Sequence, residues 1–303
     1  MSNLTLRQLR YFETLSRYRH FGRAAEACSI SQPALSVQIR ELEETLGQQL
    51  FERNARQVGL TPFGEKCARR VRGILRSIDE LGELARTADN TLTGRLRLGV
   101  IPTIAPYLLP RLIRILDRCY NGLDIHVRET QTSRLLEELS DGRLDTAILA
   151  LPVSESDLTE VELFSESFLL VRPETEAANP LPDRDSLRDM RLLLLEEGHC
   201  FRDQALSFCN IPSARPRDGL DGSSLSTLVQ MVGAGLGVTL IPEMATEVET
   251  RSAAVTVARF ADPQPTRSVG MVWRRSSPLA PQLETLSEVI RAEAPPSAPK
   301  ERI

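Results

Sequence analysis

The 303-residue sequence predicts a two-part chain: an N-terminal all-α winged helix-turn-helix carried on a long helix, then an α/β body of two lobes. Three observations carry that reading. Two short amphipathic helices flank a tight polar turn before residue 50, an apolar stripe close to period 3.5 runs from Val71 to Ala88, and from Gly94 apolar strands alternate with amphipathic helices.

Leu6, Leu9, Phe12 and Leu15 mark the inner face of the first helix, and Phe21 to Ala27 form a shorter second one, with Ala24, Ala25 and Cys28 small enough for close packing. Ser31 then offers an N-cap, Pro33 suits a first turn where its missing N–H costs nothing, and Gly47 stops the third helix after Leu46. Leu35, Ile39, Leu42 and Leu46 face inward and leave Gln32, Ser36, Gln38 and Arg40 outside. A second helix that starts on small polar residues free of packing duty can read base edges, and Ser31 and Pro33 complete this candidate DNA surface. Gln49 to Arg53 and Val58 to Thr61 are predicted as short strands around Asn54-Ala55-Arg56, a wing from which Arg53 and Arg56 reach phosphate.

Residues 1–62 thus form one domain and residues 63–91 a linker helix. Val71, Leu75, Ile78, Leu81, Ala85 and Ala88 lie on its stripe, with Arg69, Arg70, Arg72 and Arg76 outside. The stripe suits pairing with a second copy of the chain or packing on its own domain. Cys67 reads as filler near the helix start.

Residues 92–293 read as a largely parallel α/β body, with one lobe over about 92–161 and 267–293 and the other over about 162–266. Strands are predicted at Leu96 to Ile101, Ile125 to Glu129, Thr146 to Leu151, Phe168 to Val171, Leu192 to Leu195, Val238 to Ile241 and Arg267 to Trp273. Helices fall at Leu108 to Tyr120, Ser133 to Leu139, Ser224 to Met231 and Leu279 to Ala292, with Cys119 on an inward face. Gly233-Ala234-Gly235-Leu236-Gly237 follows a helix and leads into a strand, the reverse of a dinucleotide loop, so it reads as helix termination and a turn. Residues 294–303 read as a disordered tail.

Charge divides along the same boundary. Residues 1–91 carry 14 basic and 11 acidic side chains, while the remainder carries 23 basic and 30 acidic, so only the first third can face a polyanion. No apolar run is long enough for a membrane span, and the first residues lack a signal peptide's apolar core, which predicts a cytoplasmic protein whose thiols rest reduced. Five cysteines without a CxxC pair, and histidines at 20, 126 and 199, give no metal-ligand spacing; neither metal nor cofactor is predicted.

The stretch Leu192 to Cys209 reads as strand, turn and helix: four leucines, then Glu196-Glu197-Gly198, then Phe201, Ala205 and Phe208 on one apolar face. Cys200 opens the helix and Cys209 closes it. Nine residues of helix turn through about 900° and rise about 13 Å, whereas a disulfide needs Cα atoms about 4.4 to 6.8 Å apart. Either both cysteines are small apolar fillers, or they form a redox pair whose bond and helix exclude one another. A helix start, with His199 and Arg202 nearby, favours a reactive thiolate at Cys200. Thr103 and Thr132 sit beyond strand ends, where α/β sheets hold ligands and where helix N-caps also sit.

The run Leu194-Leu195-Glu196-Glu197-Gly198-His199-Cys200-Phe201-Arg202-Asp203-Gln204-Ala205, followed by Phe208-Cys209, resembles the redox segment of the peroxide-sensing, OxyR-like branch of the LysR-type transcriptional regulators. Phe21-Gly22-Arg23-Ala24-Ala25, Ser31 to Ser36, Leu42-Glu43, Gly47, Leu50 to Arg53 and Leu60-Thr61-Pro62 resemble the DNA-binding domain of the same family. Many members carry arginine where this chain has Val37, so their base preference does not carry over. The resemblance implies a periplasmic-binding-protein-like effector domain, with Cys200 as peroxidatic and Cys209 as resolving cysteine in a reversible disulfide. It implies that Thr103, Thr132, His199, Arg202, Asp203 and Arg267 surround the peroxidatic sulfur, that His199 and Arg267 favour its thiolate, and that Thr103, Thr132 and Asp203 hold the peroxide and shuttle protons. It further implies hydrogen peroxide as signal and an operator of double-stranded DNA with paired half-sites upstream of peroxide-defence genes. Further copies of the chain in a dimer of dimers, and RNA polymerase, complete the implied partners. Enzymatic turnover of metabolites is not implied. The alternative within the family is a regulator answering a small organic metabolite between the lobes; outside it, a thiol peroxidase or disulfide oxidoreductase, against which the absence of CxxC and the helix-turn-helix speak.

Overall fold

The computed structural model describes residues 4–52, 58–86, 92–182, 186–188, 190–209, 221–262 and 264–293. The chain divides into two compact units, Met1–Ala85 and Arg86–Ile303.

In the first unit, α1 (Leu6–Tyr18), α2 (Phe21–Ala27) and α3 (Gln32–Leu46) pack around Phe12, Leu15, Leu35 and Leu42, all fully buried. Thr5 caps α1 in a capping box with Gln8, Ser31 caps α3, and Gly47 ends α3 in the left-handed region at φ 67°. Leu46 is only half-buried, and so is Cys28, which closes α2. The wing keeps a single antiparallel bridge, Phe51 to Leu60, among the described residues, in place of two strands. Arg53 and Arg56 lie outside the described residues.

Helix α4 (Pro62–Arg86) follows. Val71 is buried in the domain core and Leu75 packs against it, Ile78 is half-buried, and Leu81 is 65% exposed. The start of the predicted stripe therefore serves its own domain, and the part past Leu75 turns away from it. The side chains of Ala85 and Ala88 lie outside the described residues. Burial raises the pKa of the half-buried Cys67 thiol above its ordinary value.

The second unit holds nine strands among its described residues: β1 (Arg95–Val100), β2 (Asp124–Glu129), β3 (Thr146–Leu151), β4 (Leu158–Pro173), β5 (Leu194–Leu195), β6 (Asp221–Gly222), β7 (Thr239–Pro242), β8 (Val255–Ala258) and β9 (Thr266–Arg274). Its helices are α5 (Ala105–Cys119), α6 (Thr132–Ser140), α7 (Cys200–Phe208), α8 (Leu225–Gly233), α9 (Thr246–Glu249) and α10 (Ala280–Glu293). The main sheet runs β2-β1-β3-β9-β4-β7, with β8 on β4. It is mixed: β1 is parallel to β2 and β3, but β9, β4, β7 and β8 pair antiparallel, because the chain returns along β9 against its own outgoing strand β4.

Strand β4 has 16 residues where the sequence suggested four. Its first part pairs with β9 and its last part with β7 and β8, so one strand belongs to both lobes. Two cores result: one holds β1, β3, Phe164, Met271 and α10, the other Phe168 to Val171, Leu192 to Leu195, α7 and α8. Of the four leucines, only Leu194 and Leu195 pair, with β6, and Leu192 bridges Val238, although all four are buried. α8 ends at Gly233 and the chain turns through Gly235 and Gly237 into β7, as a terminating glycine run should.

Cys119 corrects an expectation. It is exposed, because Leu108, Leu112, Ile115 and Leu116 define the buried face of α5 and the helix ends at Cys119. Residues 294–303, read as a tail, lie outside the described residues.

Candidate functional site

Three chain segments meet around Cys200. The loop after β1 brings Ile101, Pro102 and Thr103, the start of α6 brings Gln131 and Thr132, and the start of α7 brings His199, Cys200 and Phe201; together they line a narrow crevice. Cys200 is the first residue of α7, with His199 as N-cap, and so belongs to the first turn, where a helix leaves backbone N–H groups unsatisfied. All five cysteines are reduced thiols.

The two ends of α7 belong to different cores. Cys200, half-buried, packs against the core of the first lobe, whereas Cys209 is 0% exposed inside the core of the second. Phe201, Ala205 and Leu206 anchor the helix; Phe208 is only half-buried, tilted against the Phe260 ring at 5.2 Å, so Leu206 takes the buried place that the spacing gave to Phe208.

The threonines are not helix caps. Ile104 precedes α5 and Gln131 precedes α6, neither with a side-chain cap bond. Thr132 Oγ1 is buried and has no hydrogen-bond partner, an uncommon state for a hydroxyl. Thr103, 3% exposed, accepts a hydrogen bond from Arg267 Nη1 at 2.9 Å at its hydroxyl and one from Nη2 at 3.0 Å at its carbonyl. Both hydroxyls therefore keep an O–H to give toward the crevice.

The other predicted residues divide. Arg267 stands one step behind Thr103, paired with Glu166, with its guanidinium 5.5 Å from the Phe201 ring centroid. Arg202 turns away: it donates to the Leu195 carbonyl at 2.6 Å and pairs with Asp221 at 3.0 Å, tying α7 to β5 and β6. Asp203 is exposed on the first turn of α7, where a carboxylate complements the helix dipole, and does not line the crevice. Burial lowers the His199 pKa below the ordinary imidazole value, against a weaker opposing pull from Glu196. The ring is therefore neutral near neutral pH and brings no positive charge to the crevice that it lines.

Two participants carried no sequence signal. Gln131 Nε2 donates to the Glu197 carbonyl at 3.3 Å, and a Cβ on Gly198, which has φ +95°, would come within 2.6 Å of Gln131 Oε1. Glu166 is buried beside Arg267, and only a long-range pairing could have pointed to it.

In the first unit, Gln32, Pro33 and Arg40 on α3 are exposed, Ser36 and Gln38 are half-exposed, and Gln38 Nε2 donates to Glu41 at 2.7 Å. The Ser31 hydroxyl accepts from Ala34 N at 3.3 Å and so is engaged in capping.

A model described as the LysR substrate binding domain matches residues 89–295, and one described as a bacterial regulatory helix-turn-helix protein of the lysR family matches residues 6–65. The DNA-binding transcriptional dual regulator OxyR of Escherichia coli is 40% identical over 294 residues, 95% of each chain. The chain is an OxyR-like member of the LysR family. A probable hydrogen peroxide-inducible genes activator from Streptomyces viridosporus is 44% identical over 95% of this chain and 93% of its own length. Full-length OxyR from Pseudomonas aeruginosa, as a cysteine-to-aspartate variant, superimposes with a TM-score of 0.74 at 39% identity, covering 95% of this chain and 98% of that one. A cysteine-to-serine mutant of Corynebacterium glutamicum OxyR, H₂O₂-bound, gives 0.65 at 38% identity over 95% and 92%. Among LysR-family features, this chain therefore retains both the helix-turn-helix and the two-lobed domain.

The buried neutral histidine sets a pH dependence. A group whose folded pKa is depressed contributes stability that is present above its unfolded value near 6.5 and is lost as pH falls toward the folded value. His199→Asn should therefore lose less stability than the parent between pH 7.5 and pH 5.5. Urea midpoints of the two reduced proteins check this, and equal losses would mean that His199 does not resist protonation.

Proposed function

We propose that this chain is a transcriptional regulator that binds operator DNA, senses hydrogen peroxide at Cys200 and controls peroxide-defence genes. One observation carries the peroxide reading: a reduced cysteine at a helix N-terminus shares a small crevice with Thr132, whose buried hydroxyl has no protein partner. The crevice is narrow, with no enclosed space of the size that organic effectors of many atoms occupy. That favours a molecule of two oxygens over an organic effector. Thr103 and Thr132 donate to the peroxide oxygens, His199 offers a ring nitrogen, and the start of α7 favours the thiolate.

The thiolate sulfur forms a bond to the near oxygen, the O–O bond breaks, and its electron pair leaves on the far oxygen. That oxygen departs as water after taking a proton, which balances the proton lost by the thiol; Cys200 becomes a sulfenic acid. The Cys209 sulfur then attacks the Cys200 sulfur, the S–O bond breaks, and the hydroxyl leaves as a second water, taking the Cys209 proton. Closing this disulfide requires α7 to open, because Cys209 sits in the other core. The refolded segment changes how subunits pack and hence how the operator is held. A cytoplasmic setting, with reductants that reopen the bond, fits this cycle. No described helix is long and apolar enough to cross a membrane.

The cysteine variants separate the two steps. Cys200→Ser should remain folded and bind DNA without any response to peroxide, while Cys209→Ser should accumulate a sulfenic acid at Cys200 that dimedone traps. Label on another cysteine, or a full peroxide response in Cys200→Ser, would move the sensor elsewhere.

On the DNA side, the exposed start of α3 is proposed to enter the major groove, with bidentate base contacts worth about 1 to 3 kcal/mol each. Ser36→Glu places a negative charge against the duplex and should abolish specific binding without unfolding the domain. An unchanged footprint with this variant removes α3 from the recognition role.

Reading paired half-sites needs at least a dimer, and α4 is the proposed pairing helix because its apolar positions past Leu75 leave the domain core. Contacts with RNA polymerase and assembly into a dimer of dimers follow from the same reading. Ile78→Glu combined with Leu81→Glu should yield a species that sediments as a smaller assembly than the parent and has lost DNA affinity. An assembly of the same size and affinity would assign those side chains to packing within the chain.

A further inference from the structure

We propose that Glu166 is a positioning residue for the peroxide reaction: it holds and neutralises Arg267, so that Arg267 fixes Thr103 as a hydrogen-bond donor and does not act as a positive charge on the Cys200 thiolate. The proposal rests on the reading of Cys200 as the peroxide-reactive thiol. Glu166 lies on β4 and Arg267 opposite it on β9, in direct register. Glu166 Oε1 accepts from Arg267 Nε at 2.9 Å and stands 2.8 Å from Nη2, and its Oε2 accepts from the backbone N–H of Met244 at 3.0 Å. The Arg267 side chain is 0% exposed and that of Glu166 7%.

A guanidinium cannot shed its proton in a protein, so a fully buried one needs a compensating charge, and Glu166 supplies it. The pair then has no net charge. What reaches the crevice from it is direction: Nη1 donates to Thr103 Oγ1, which occupies that oxygen as acceptor and turns its own proton outward. When the Cys200 sulfur bonds to one peroxide oxygen and the O–O electron pair passes to the other, which leaves as water, the Thr103 O–H is already oriented as a donor to the peroxide. The other charged or titratable groups around the crevice give little positive charge: His199 is neutral, Arg202 is paired with Asp221, and Asp203 is exposed.

The test uses the full-length reduced protein and two readouts at Cys200, followed by mass spectrometry: the pH midpoint of alkylation by iodoacetamide, and the rate of oxidation by hydrogen peroxide extrapolated to full thiolate. In Glu166→Gln the acceptor facing Met244 and Arg267 becomes in part a donor, and the arginine charge is uncompensated. The alkylation midpoint should fall while the full-thiolate rate falls by about tenfold or more. Where the unpaired arginine unfolds that variant, the double variant Glu166→Gln with Arg267→Gln leaves no lone charge. It should keep the parent's alkylation midpoint and lose the same rate. A double-variant midpoint above the parent's would show that Arg267 supplies positive charge, and a full-thiolate rate equal to the parent's would show that the pair positions nothing; either overturns the proposal. Because alkylation needs no peroxide, the charge claim is decided even in a parent whose Cys200 ignores peroxide, the outcome that defeats the sensor reading instead.

Discussion

Helix α7 keeps Cys200 against the core of one lobe and Cys209 inside the core of the other, and the proposed redox cycle depends on that separation. The helix is held at both ends and in the middle. Arg202 ties its first turn to the Leu195 carbonyl and Asp221, Phe201 packs edge-on against Phe168 at 4.9 Å, and Ala205 and Leu206 fill the second core. In the proposed redox cycle these contacts oppose the disulfide, because the two thiols cannot meet across a standing helix. For a two-electron couple about 30 mV corresponds to 1.4 kcal/mol, so under the proposed Cys200–Cys209 pairing the packing of the reduced helix sets the reduction potential. In the proposed cycle the helix is firm enough for Cys200 and Cys209 to rest as thiols and loose enough to open once Cys200 is oxidised.

The crevice beside that helix works by a different economy of parts. Strand β9 supplies Arg267, β1 leads into Thr103, and α6 begins at Thr132, so three elements of the first lobe fix the surroundings of a cysteine that the second lobe carries. The lobes are also joined where Tyr107 on α5 donates to Glu249 at 2.6 Å, with Ser226 on the other carboxylate oxygen. Burial and the Glu249 contact hold the Tyr107 hydroxyl well above its usual pKa, so it remains a donor. Any opening of α7 acts on a body whose lobes are already joined through β4 and through this contact.

Much of this was legible from local pattern. The helices of the first unit, the strand-turn-helix around Cys200, and the glycine run after α8 follow from period, caps and breakers, which act over a few residues. What escaped depends on distant partners. The length of β4 is set by two successive neighbours, β9 and then β7 with β8, and the mixed sheet by the return of β9. Cys119 was misplaced because the buried face of α5 is set by its packing and the helix ends there. Within the site, motif resemblance put Thr103, Thr132 and His199 beside Cys200, but not the neutrality of the imidazole, nor the outward course of Arg202 and Asp203, nor Glu166. Those are consequences of burial, which no single stretch of sequence records.

Hydrogen exchange of the peptide spanning residues 200–209, followed with thiol mapping in the same samples before and after one equivalent of hydrogen peroxide, tests the central claim most directly. Slow exchange in the reduced protein, lost together with the appearance of a Cys200–Cys209 disulfide, is the result that the opposed cores predict. A disulfide formed while those amides keep their protection would contradict the account, because the helix and the bond would then coexist.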